Sequence, residues 1–205
     1  MKKTIICNIT MQQNNQKCVY QSDDLSLPSS NREVYYPINA YLEKTLAKYD
    51  EVKVLLLIKK DAHGNYQENV EEFVTEINEI NKEIGAKIEI KYLETDFTEK
   101  KSVHEQLMSR IINEIEDGSH ILADITYGPK DLPIVLFAAL NFADKFLDCE
   151  IDNIIYGFAS FVDGKPTDTK LCDMIPLYYL NNVTNTINCK DSNKARKMLE
   201  TLLSL

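Results

Sequence analysis

The sequence predicts an α/β protein with a Rossmann-like, mostly parallel six-stranded sheet, helices on both faces and a C-terminal β-hairpin at one edge. Three observations carry this. Apolar runs of strand length alternate with segments whose apolar residues recur at helical spacing, and such alternation means a parallel sheet wound by right-handed crossovers. The run "VKVLLLI" at 52–58 is nearly continuous apolar, as a strand covered on both faces must be. "DGK" at 163–165 separates two strand-like runs, and Asp-Gly is a strong hairpin signal.

The elements follow in order. "TIICNI" (4–9) is a short β-branched run and reads as a buried strand. The next 25 residues are polar and turn-rich, which is long for a connection inside a compact domain. We expect a mobile lid over 11–33. Pro37 opens a helix over 37–49, with Tyr41, Leu42, Thr45, Leu46 and Tyr49 on one face. After the strand 52–58, "DAHGN" breaks the chain and a helix runs over 67–84, with Phe73, Ile77 and Ile80 at helical spacing and Gly85 as its C-cap. "AKIEIKYLE" (86–94) is the third strand. Thr98 is placed to cap the next helix, where Val103, Leu107, Ile111 and Ile115 repeat every four residues before Gly118 ends the run. A fourth strand (120–126), a fourth helix (131–147) and the two hairpin strands (151–162 and 166–174) complete the sheet. One short helix ends the chain at Leu205. We read 1–180 as one domain and 181–205 as its helical tail.

At 205 residues the chain is long enough to bury roughly 70% of its unfolded surface. Its formal net charge of −9 opposes a general coating of DNA or RNA, although a few local donors can still hold one phosphate. Five scattered cysteines form no CxxC pair, and His63, His104 and His120 stand far apart. Both facts indicate reduced thiols and packing or surface histidines, with no metal site. No segment approaches the roughly 20 apolar residues of a membrane span, and the apolar run after Lys3 is too short for a signal peptide. The expectation is a cytoplasmic protein without cofactor, membrane or DNA partner.

The stretch "ADITYGPKDLPIVLFAALNFA" (123–143) carries the functional reading. In open α/β sheets, ligands bind beyond the carboxyl ends of the strands where strand order reverses, between the first and fourth strands of a Rossmann-like order. The loops there are "NITMQQNN" (8–15) and "DITYGPKD" (124–131). Asp124 and Thr126 end a strand, and Gly128 permits a backbone that a side chain would forbid. Lys130 or Asp131 begins a helix whose free N–H groups and positive dipole end favour a phosphate, and Lys130 adds a full charge. The same spacing equally describes a tight strand-to-helix connection with Asp131 as N-cap. The ligand-binding candidates are Asn8, Thr10, Met11, Asp124, Thr126, Tyr127, Gly128, Pro129 and Lys130. Arg32, the one arginine of the long loop, joins them as a phosphate ligand. There is no GxGxxG after the first strand, no GxxxxGK[ST] and no GxSxG, which excludes dinucleotide, P-loop and nucleophile-elbow enzymes.

"DITYGPKDLPIVLFAALNFADKFLDCEIDNIIYG" (124–157) resembles the strand-four signature of CRISPR-associated Rossmann-fold (CARF) domains. In that family an aspartate-hydrophobic-threonine step leads through a glycine to a basic residue and an Ala/Leu-rich helix. Here these are Asp124, Ile125, Thr126, Gly128 and Lys130, and "IIYG" (154–157) is similar to the strand that follows. The resemblance covers about residues 1–180. Tyr127 and Pro129 stand where many members carry other residues. It implies a homodimer that binds cyclic oligoadenylate, the second messenger of type III CRISPR antiviral defence, across its two-fold axis. Cyclic tetra-adenylate stands ahead of the hexa-adenylate. It leaves two options. One is a metal-independent ring nuclease, in which a ribose 2′-OH of the ligand attacks the adjacent phosphate to give a 2′,3′-cyclic phosphate end. Lys130 would then stabilise the charge and Thr10 or Asn8 position the ribose. The other is pure binding, as a sensor, a sponge or the sensor part of a longer effector. A Rossmann-like regulatory domain for another small anion is the reading outside the family. No arginine has a histidine at the spacing of the effector ribonucleases, and the residues after 180 are too few for a nuclease domain. "EIK" (89–91) reads as half-exposed strand. Leu132, Ile134 and Val135, apolar and next to the site, motivate the dimer.

Overall fold

The structure is a computed structural model and describes residues 1–60, 64, 66–96, 98, 100–187 and 189–204. The chain divides into two compact units, Met1–Asp173 and Met174–Leu205. In the first lie β1 (Lys2–Asn8), β2 (Cys18–Val19), β3 (Glu33–Val34), α1 (Pro37–Thr45), β4 (Glu51–Lys60), α2 (Tyr66–Ile84), β5 (Lys87–Asp96), α3 (Lys101–Glu114), β6 (His120–Asp124), α4 (Leu132–Phe146), β7 (Glu150–Val162) and β8 (Lys165–Asp173). The second holds α5 (Ile175–Thr186) and α6 (Ser192–Leu203).

The main sheet has the order β5-β4-β1-β6-β7-β8, parallel throughout except for β8, which pairs antiparallel with β7. From β1 the chain steps outward to β4 and β5. It then crosses back through α3 to β6, which pairs with the free side of β1 from Lys3↔His120 to Cys7↔Asp124. Strand order therefore reverses between β1 and β6, as the sequence predicts.

Alternation along the strands builds two apolar layers. Ile5, Cys7, Val54, Leu56 and Ile58 join Leu42 of α1 with Phe73 and Ile77 of α2. Ile6, Leu55, Leu57 and Ala123 are buried on the opposite face, where α3 and α4 pack together. Among the described residues no helix is long and apolar enough to cross a membrane.

Four expectations are corrected. The 11–33 segment is not a free polar lid: β2 and β3 pair antiparallel within it and just beyond it, and Cys18, Tyr20 and Leu27 are buried. Gln21 also bridges to Lys170 on β8. Isolated apolar residues spaced among polar ones carry no period, so the sequence shows nothing of this. Thr98 does not cap α3, whose N-cap is Lys100 without a side-chain bond. The first helix stops at Thr45, and Tyr49 adopts a left-handed φ of 71° beyond it. Two helices, not one, follow the sheet; the expected end at Leu205 and the break at Asp61–His63 lie outside the described residues.

Candidate functional site

The loop after β6 is held in place by the residues that define its sequence pattern. Asp124 is buried at the end of β6, and its Oδ2 accepts the N–H of Ile38 (3.3 Å) in the first turn of α1. That helix has Pro37 at its start and no cap from Tyr36, so a carboxylate from the sheet satisfies the orphan donor. Asp124 Oδ1 accepts the N–H of Thr126 (2.8 Å). Burial nevertheless outweighs these bonds and pushes the Asp124 carboxyl up to about 6. Thr126 Oγ1 in turn accepts the N–H of Gly157 on β7 (2.7 Å). A side chain at Gly157 would stand 2.2 Å from Pro37 Cγ, so only glycine lets β7 pass this close to the start of α1.

Beyond Thr126 the loop turns at Gly128, which has φ +102°. A Cβ there would lie 2.9 Å from Leu132 Cδ2 and 3.3 Å from the Asn8 carboxamide, so conformation and space both demand glycine. Asn8 is 2% exposed, and its Nδ2 has no hydrogen-bond partner among the described residues. A buried amide left without an acceptor costs stability, which marks Asn8 as a position awaiting one.

The start of α4 differs from expectation. The Leu132 N–H donates to Pro129 O and the Ile134 N–H to Asp131 O, both at 3.1 Å, and Pro133 has none. The donors open to an anion belong instead to the loop, where the Gly128 and Lys130 amides reach no acceptor among the described residues. Asp131 stands at the N-cap but makes no cap bond. Its Oδ2 lies 2.8 Å from His104 Nε2 and 3.4 Å from Nζ of Lys59, which is 3% exposed. The negative charge that would ordinarily sit on the helix end is thus drawn beneath the loop. Lys130 is exposed and forms no ion pair among the described residues. Lys59 and His104 escape sequence reading: Lys59 ends an apolar strand and His104 starts a polar helical turn, and only the fold brings them together.

The loop after β1 is anchored differently from expectation. Thr10 is 1% exposed and its Oγ1 accepts the Gln12 N–H (3.2 Å), so its hydroxyl is committed inside the fold. Asn69 of α2 donates to Thr10 O (2.6 Å) and Gln12 O (3.1 Å). Met11 is half-buried between them. Tyr127 donates to Tyr35 O (3.0 Å) and meets Tyr36 edge-to-face, and Pro129 is half-buried. Arg32 is not brought to this set. Its guanidinium pairs with Glu43 (3.0 Å) and with Glu83 (3.1 Å), near the end of α2 at the opposite pole of the strands. Leu132 and Val135 belong to the core, and Ile134 alone of the three faces outward at 73% exposure.

A cleft of about 390 Å³ opens between the loop after β1, the loop after β6 and the projecting end of the β7–β8 hairpin; Gln12, Thr126, Tyr127 and Tyr156 are among its walls. A larger hollow, about 530 Å³, lies between α2 and the ends of β4 and β5, away from the crossover. The crossover cleft is the better candidate because its walls include residues of both loops that strand order brings together. His120, Glu150 and Asp152 also cluster, with His120 Nδ1 2.8 Å from Asp152 Oδ1, but at the amino ends of β6 and β7, far from this edge. No protein-family model and no curated protein matches the chain.

Proposed function

We propose that this protein binds cyclic oligoadenylate at the edge formed by the loops after β1 and β6, across a homodimer two-fold. The observation that carries the reading is the state of the α4 end. Asp131 is turned away onto Lys59 and His104, while Lys130 and the Gly128 amide stay open beside it. A loop that removes its own carboxylate and leaves a lysine uncommitted is prepared for an outside anion. The likeness of 124–157 to the CARF signature supports a cyclic oligoadenylate as that anion, and the reversal of strand order at these loops agrees with it.

A two-fold arrangement is supported by α4 itself. Ile134 and Phe146 are exposed at its two ends, Phe142 packs on Phe146 with ring centroids 4.9 Å apart, and the stripe begins beside Lys130. A partner laid against it would bring two copies of the site together, matching a ring with repeated phosphates. Binding stands ahead of cleavage. With Thr10 buried and hydrogen-bonded, Lys130 and the loop amides are the groups left to stabilise an in-line attack by a ligand 2′-OH.

The test is incubation with cyclic tetra- and hexa-adenylate in EDTA, following retention and products by chromatography. Retention of the tetra-adenylate is expected. If neither ring is retained, the reading is wrong.

A further inference from the structure

His120, Glu150 and Asp152 meet at the amino ends of β6 and β7, the pole of the sheet opposite the crossover edge. One ligand atom from each lies within 4.8 Å of the other two. His120 Nδ1 stands 2.8 Å from Asp152 Oδ1 and 3.8 Å from Glu150 Oε2. A proton on that nitrogen therefore serves Asp152 and leaves Glu150 beyond hydrogen-bond reach. Among the described residues neither carboxylate pairs with a lysine or arginine. Lys3, opposite His120 on β1, is committed to Asp50 (2.7 Å) and to Thr45 O (2.8 Å). Two carboxylates share one imidazole, and no side chain nearby balances them.

The backbone is shaped for this meeting. The β6–β7 register shifts once: Ile121 opposes Ile151 and Leu122 opposes Asn153, so Asp152 is the extra residue of a bulge. Bulges re-aim side chains, and this one carries the carboxylate that reaches His120. By register, Glu150 opposite His120 and Asn153 opposite Leu122 lie on one face of the sheet. Asn153 is 6% exposed, and its Oδ1 has no hydrogen-bond partner among the described residues.

We propose that His120, Glu150 and Asp152 bind a divalent cation of the zinc class. Ligands about 2.0–2.2 Å from a tetrahedral zinc are roughly 3.4 Å apart, and the two distances from His120 Nδ1 bracket that value. Glu150, whose side chain is 74% exposed, is free to close the remaining gap. The imidazole favours zinc over magnesium, which prefers oxygen ligands alone. Three protein ligands leave a position for water, and Asn153 Oδ1 offers an acceptor on the same face. The ion would tie the starts of β6 and β7 together. The site is independent of the ligand proposed for the opposite edge. Sequence spacing does not show it, because His120 and Asp152 are 32 residues apart.

The experiment strips the full chain with a chelator, removes the chelator, and titrates with zinc chloride and with magnesium chloride by calorimetry. One zinc per chain and no comparable magnesium binding are expected. His120→Ala and Glu150→Gln should each weaken zinc by at least about 10- to 100-fold, the loss that even a supporting partner causes. Glu150→Gln changes an exposed side chain and so tests the site even if His120→Ala fails to fold. Cys172 and Cys189 are partly exposed thiols, and Cys172→Ser combined with Cys189→Ser should bind zinc as the parent does. Zinc binding that survives Glu150→Gln and His120→Ala, or that disappears with the two thiols, would overturn the site. Equal binding of magnesium would overturn the imidazole as a ligand and the zinc class with it.

Discussion

Thr126 Oγ1 lies 2.7 Å from the amide nitrogen of Gly157 and accepts its hydrogen. Two separated parts of the signature, the aspartate-hydrophobic-threonine step and the glycine of "IIYG", are therefore bonded to each other. Thr126→Val keeps the shape and removes the acceptor, which should lower unfolding free energy by about 1–3 kcal/mol, whereas Thr126→Ser should cost less. Gly157→Ala sets a methyl against Pro37 and should cost at least as much. Urea unfolding of the three variants measures this, and a Thr126→Val protein as stable as the parent would mean that the Thr126–Gly157 bond does not hold the loop.

Asp124 makes stability depend on pH with a definite sign. Its folded pKa of about 6 lies above the unfolded value near 4, so the folded state holds the proton longer. The contribution is fully present below about pH 4 and is lost as pH rises to about 6, a loss of about 3 kcal/mol at 1.36 kcal/mol per unit. Burial also raises Glu76, which accepts from Asn39 and from the Tyr35 and Tyr36 amides, so the parent alone does not isolate the group. The difference in unfolding free energy between the parent and Asp124→Asn should therefore fall between pH 4 and 7 and stay flat above. A difference that is level across this range would contradict the assignment.

The pairing of Lys59 with Asp131 is unequal in its consequences. Asp131→Ala strands a buried ammonium and should cost about 3–5 kcal/mol, the range for a broken buried pair. Lys59→Met removes the charge at similar volume and leaves Asp131 beside His104, so it should cost less than half as much. Chemical denaturation of both variants decides, and equal losses would mean that Lys59 acts through packing instead.

Arg32 tests what the structure changed. Its ion pairs to Glu43 and Glu83 are partly exposed and worth about 0.2–1 kcal/mol each, less at high salt. Arg32→Ala should lower the melting temperature slightly and leave ligand affinity within about twofold. A tenfold loss of affinity would return it to the site.

What was legible follows from what has a period. The strands around "VKVLLLI" and the helices built on Phe73, Ile77, Leu107 and Ile111 repeat their apolar residues, so their order and the crossover between β1 and β6 can be read directly. β2 and β3 are two residues each, too short for any period, and α5 is rich in Asn and Thr, poor helix formers. At the site, glycine at 128 and the Asp124–Thr126 step were visible because backbone constraints leave a mark on residue type. The burial of Thr10, the capture of Arg32 by two glutamates and the meeting of Lys59, Asp131 and His104 were not, because each depends on residues 11 to 72 positions apart.

On the function proposed above, Lys130 and the crossover edge hold a cyclic oligoadenylate between two chains. Isothermal titration of cyclic tetra-adenylate into the parent and into Lys130→Ala tests it most directly. One ring is expected to bind per two chains. Affinity should be about 10- to 150-fold weaker in Lys130→Ala, the scale of one charge-assisted hydrogen bond, with the unfolding midpoint unchanged. No heat with the parent, or a variant that binds like the parent at one ring per chain, would contradict it.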